Sequence, residues 1–71
     1  MELFGLKANY LIVPTTHEVV TDVAIYLRLF LTREQADEYL PDYKEGLYRK
    51  LAGMYPDSDI NITAQVVTYK L

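Results

Sequence analysis

The chain has 71 residues and no cysteine, which excludes disulfides and thiolate metal sites and leaves one domain near the lower size limit for a self-sufficient core. Ten acidic residues against seven basic ones give a net charge of −3, so the electrostatic footprint of a nucleic-acid binder is missing. The 51% hydrophobic content, with seven tyrosines, is too high for a disordered tail and predicts a folded chain.

In chain order, the segment MELFGLKANYLIV carries neither a basic leader nor a small-residue cleavage site. No apolar run approaches the roughly 18 residues of a membrane span, so a cytoplasmic setting without membrane contact is expected. Residues 6–13, LKANYLIV, end at Pro14 and are rich in aliphatic and aromatic side chains, which suits a first strand.

Residues 19–30 fit two readings. Alternation sets Val19, Thr21, Val23, Ile25, Leu27 and Leu29 against Val20, Asp22, Ala24, Tyr26, Arg28 and Phe30, the pattern of a half-buried strand. Helical spacing also links Val19, Val20, Val23, Ala24, Leu27, Phe30 and Leu31, with Thr15 and Glu18 placed for a capping box. The β-branched content favours a second strand, with Pro14–Glu18 as the hairpin turn and the odd positions toward the core.

A helix then starts at Thr32, whose side chain can accept from the Gln35 N–H, with Glu34 complementing the positive end. Arg49 and Lys50 read as its last turn, Gly53 as a left-handed cap and Pro56 as a stop. Pro41 costs about 3 kcal/mol in a helix interior. Yet Ala36, Leu40, Tyr43, Leu47, Leu51 and Met54 form one apolar stripe that crosses it in phase, which predicts a single kinked helix or two short ones sharing a face. After the turn YPDSD, the segment INITAQVVTYKL alternates Ile60, Ile62, Ala64 and Val66 against Asn61, Thr63, Gln65 and Val67, as a last strand. The fold expected is α+β, β-β-α-β: one domain over residues 1–71, with a three-stranded antiparallel sheet in the order 2-1-3 and a Pro41-kinked helix on one face.

The chemical inventory is thin. The one histidine, His17, and the one serine, Ser58, both fall in turns, and nothing arranges them as a nucleophile and base. His17, Glu18 and Asp22 match no metal-ligand spacing. Asp57-Ser58-Asp59 lacks the glycine and terminal glutamate of a calcium loop, and Gly5, Gly46 and Gly53 are too scattered for a phosphate loop. No catalytic residue, metal or cofactor is expected, and Asn61-Ile62-Thr63, which matches a glycosylation sequon, reads as strand.

Two surfaces remain as candidates. Glu34, Glu38, Asp42 and Glu45 lie opposite the apolar stripe and would suit a basic groove on a partner, or simply be the solvated side of the helix, with Glu45 and Arg49 an i,i+4 pair. With the odd positions of the second strand inward, Val20, Tyr26, Arg28, Phe30 and Tyr69 would form an outer sheet face of interface-like composition. A compact acidic domain without a catalytic set resembles, in type and not in any motif, the small accessory proteins of phages and mobile elements, anti-CRISPR proteins among them. That resemblance implies a non-enzymatic protein-interaction module that binds and inhibits or redirects a host protein. A self-assembling subunit, homo-oligomeric through the outer sheet face, is the alternative, and a small-molecule binder at a dimer interface is the third.

Overall fold

The computed structural model describes residues 1–15 and 18–71. His17, named above, lies outside the described residues, as does the middle of the predicted hairpin turn. The elements are β1 (Glu2–Pro14), β2 (Val20–Ile25), α1 (Arg33–Met54) and β3 (Ser58–Lys70). They form a three-stranded antiparallel sheet in the order β2-β1-β3, so the α+β reading and its strand order hold.

The central strand β1 pairs along its whole length with β3, from Glu2↔Lys70 to Pro14↔Ser58. It pairs with β2 from Lys7↔Ile25 to Ile12↔Val20. Residues opposite one another in an antiparallel ladder share a face, so the even positions of all three strands point one way. That inner face carries Leu6, Ala8 and Ile12, all fully buried, against Ala36 and Leu51 of the helix. Ile60, Ile62, Ala64 and Val66 join them half-buried, as their alternation predicts.

α1 begins where the sequence places it. Thr32 has extended backbone, and its Oγ1 accepts from the Gln35 N–H at 3.2 Å. The helix runs unbroken through Pro41 for 22 residues. The stripe is on the sheet as predicted, with Leu40, Tyr43 and Leu47 half-buried between Ala36 and Leu51; Met54 is exposed.

The helix end differs from expectation. Gly53 is not left-handed; α1 continues to Met54, and the Tyr55 N–H closes the last turn on the Leu51 carbonyl at 2.8 Å. Arg49 and Lys50 therefore sit short of the final turn. The left-handed residue is Asp57, at φ 59°, because the reversal into β3 comes after Pro56 and aspartate tolerates that conformation better than most side chains.

The second strand is shorter than the residues 19–30 predicted. After Ile25 the Tyr26 N–H still reaches the Leu6 carbonyl at 3.0 Å, and Phe30 then makes a reciprocal pair with Phe4 at 2.9 and 2.7 Å. Three residues, Leu27 to Leu29, thus stand opposite Gly5 alone, a bulge with two extra residues. Two is an even number, so the alternation survives the interruption, and Tyr26 and Phe30 stay on the inner face.

Candidate functional site

The predicted outer face is inverted in β2. Val20, Asp22, Ala24, Tyr26 and Phe30 share the inner face with the helix, while Thr21, Val23 and Ile25 point outward. Of the predicted set Val20, Tyr26, Arg28, Phe30 and Tyr69, only Tyr69 is on the outer face. It is paired with Leu3, and its ring lies over Gly5 beside Leu29, so tightly that a Cβ on Gly5 would come within 2.8 Å of it.

The inversion has a steric cause. α1 lies over β1 and β3, and no Cα of the helix comes within 8 Å of one in β2. Tyr26 and Phe30, just past the end of β2, are the residues whose rings reach the helix. Tyr26 packs against Tyr39 and Tyr43 with ring centroids 5.1 and 5.4 Å apart, and Phe30 meets Tyr26 and Tyr39 at 6.1 and 5.9 Å. Tilted and offset ring pairs at such distances add about 0.5–1.5 kcal/mol each beyond the area they bury.

Beside this cluster an open groove of ≈ 440 Å³ runs between β2 and the helix, with Arg28, Asp42 and Lys50 at its polar positions. The Tyr43 hydroxyl is buried and has no hydrogen-bond partner among the described residues. Burial raises its phenol above the ordinary 10.0, because the tyrosinate loses more hydration than the neutral ring. Folding therefore holds this proton more tightly than the unfolded chain does. The contribution is full below pH 10 and is lost as pH climbs through the folded value. Tyr43→Phe removes the unpaired hydroxyl and is expected to raise stability at neutral pH by up to about 1 kcal/mol. Urea unfolding of both proteins at pH 7 and above pH 10 checks this, and the variant should lose less on the alkaline side.

The inversion leaves a row of large aliphatic side chains in water. Ile25, Leu27, Leu29 and Leu31 are 59%, 96%, 51% and 69% exposed. Leu27 stands almost free at the bulge. Val23, Leu11 and Val13 continue the apolar surface onto the open face of β2 and β1, whereas β3 presents Asn61, Thr63 and Gln65 there. The sequence pattern marked the odd residues as apolar, but nothing in it marked them as solvent-facing.

Glu34, Glu38, Asp42 and Glu45 are exposed. Glu45 is bound to Arg49 at 2.8 Å, and Asp37 lies 3.8 Å from Arg33. The helix carries most of its acids in the first half, and Lys44, Arg49 and Lys50 in the second, the charge order that its macrodipole favours. Exposed pairs of this kind contribute about 0.2–1 kcal/mol, and the row needs no partner to account for it.

Among the described residues no group of three or more His, Asp or Glu side chains is placed to hold a metal. Among the described residues no helix is long and apolar enough to cross a membrane. Ser58 donates to the Pro56 carbonyl at 3.4 Å in the turn before β3. The chain matches no protein-family model, no curated protein and no solved structure.

Proposed function

We propose that this chain is a non-enzymatic protein-interaction module that docks on a larger protein through the aliphatic row Ile25–Leu31 and the adjoining open sheet face, and so inhibits or redirects that protein. The observation that carries this reading is the exposure of four consecutive odd-numbered aliphatics, Leu27 at 96% above all. Burying one leucine fully is worth about 1.5–3 kcal/mol, and contiguous exposed apolar surface is characteristic of contact sites. The matching partner surface is an apolar cleft that takes Leu27 as a knob, with Arg28 available to an acidic rim.

The test is affinity capture with the tagged chain in parallel with Leu27→Asp, followed by calorimetry on whatever protein is retained. Leu27→Asp touches almost nothing in the fold and should weaken binding at least about thirtyfold, as for a hot-spot residue. Glu38→Lys with Asp42→Lys should leave the affinity nearly unchanged. The reverse result, with the helix variant losing the partner and Leu27→Asp keeping it, assigns the contact to the acidic row.

A further inference from the structure

The two edges of the sheet differ in how they are defended. β2 is six residues long, carries Asp22 pointing inward at its centre and ends in the Leu27–Leu29 bulge. Short length, an inward charge and a bulge are all devices that stop an edge strand from recruiting another. β3 has none of them. It is 13 residues long and pairs with β1 in an unbroken register. It contains no proline, and between Asp59 and Lys70 it carries no charge at all, only INITAQVVTY. Among the described residues nothing hydrogen-bonds its outer edge.

We infer that the outer edge of β3 pairs antiparallel with the β3 of a second copy of this chain, giving a continuous six-stranded sheet around a two-fold axis. Three features select a second copy over an unrelated strand. The first is charge. The edge has its acid at one end and its base at the other, so a two-fold antiparallel pairing runs the acidic end of one copy along the basic end of the other and opposes no like charges between them.

The second is area. The chain exposes 5241 Å², whereas a monomer of 8.2 kDa is expected to expose about 4,500 Å². The excess is close to the roughly 800 Å² that each partner contributes to a standard interface. The shape agrees: the extents are 47 × 19 × 15 Å and the radius of gyration is 13.8 Å, against about 11 Å for a compact chain of this length.

The third is register. An axis normal to the sheet keeps inner residues opposite inner residues, and this parity centres the pairing on Ala64 or Gln65. Both helices then stand on the same side and flank the axis. The groove of ≈ 490 Å³ along this edge, lined by Pro41, Lys44, Tyr48, Ile60 and Ile62 among others, opens toward the partner copy.

This inference uses residues remote from Leu27 and stands independently of the proposed function. Its test is light scattering after size exclusion, with amide hydrogen exchange on the same samples. The wild type should have twice the chain mass of 8.2 kDa. Thr63→Lys with Gln65→Lys, both at exposed positions, sets like charges across the axis and should return the mass to that of one chain with an unchanged circular dichroism spectrum. In the unvaried dimer, both alternating sets of amides from Ile60 to Tyr69 should be protected, since one set bonds β1 and the other bonds the partner copy. A monomeric wild type at high micromolar concentration overturns the inference. So does a dimer in which every second β3 amide still exchanges freely, because that dimer uses another surface; the exchange result decides even if the lysine variant does not fold.

Discussion

Truncation of Leu6 to alanine is expected to remove about 3 kcal/mol of stability, the usual cost of a leucine-sized cavity in a buried site. Leu6 is fully buried in the central strand, and among the described residues only Ala8, Ile12, Ala36 and Leu51 accompany it in the buried hydrophobic core. A core of five side chains has little redundancy. The loss is a large part of the total stability of a small domain, and the melting temperature should fall by roughly 12–24 °C. Leu27→Ala is the matched control. It deletes the same atoms from a side chain that is 96% exposed, and surface changes of this kind stay within about 0.5 kcal/mol. Thermal melts of the two variants beside the wild type decide the matter. Equal losses would show that the folded chain in solution encloses Leu27, as a partner copy seated on it would.

The second large effect has the opposite sign. Pro41→Ala is expected to stabilise the chain by about 1–3 kcal/mol, since proline in a helix interior lacks the N–H that would bond the Asp37 carbonyl and crowds that carbonyl with its ring. Pro41 is exposed, as is Gly46 one turn later, and a Cβ added at Gly46 meets nothing within 4 Å. Gly46→Ala should therefore add a further 0.5–1 kcal/mol, roughly, by limiting the unfolded chain. Urea titrations of the single and double variants measure both increments. A Pro41→Ala variant that gains nothing would mean that its ring contributes packing along the β3 groove, as a helix flank pressed against a partner copy would. The stabilised variants also separate stability from contact. If they hold the same mass in solution and the same partner as the wild type, the two breakers serve neither surface.

How much was legible in the sequence depends on whether the signal was local. The Thr32 cap and the stripe from Ala36 to Leu51 were readable because a helix satisfies its hydrogen bonds within itself, so spacing along the chain reports the buried side directly. β3 was readable for a related reason: its apolar residues fall at even positions only, until Val67, which makes the choice of face unambiguous. The helix end was less so. Gly53 has the right residue type for a left-handed cap, but what fixes that point is the reversal into β3, which falls at Asp57 and answers to the register with β1.

The face of β2 lay beyond the sequence altogether. Residues 19–30 are apolar on both sides, with Val23, Ile25, Leu27 and Leu29 on one and Val20, Ala24, Tyr26 and Phe30 on the other, so alternation shows that a strand exists without showing which side it buries. That decision belongs to tertiary structure. The helix settles over β1 and β3, and the rings of Tyr26 and Phe30, which follow β2, reach Tyr39 and Tyr43. Ile25, Leu27, Leu29 and Leu31 are left outside by that choice, and the candidate contact surface is a consequence of it. By itself the sequence determined the element order and the helix start. The tertiary structure decided which residues face water, because that depends on distances between elements rather than on spacing within one.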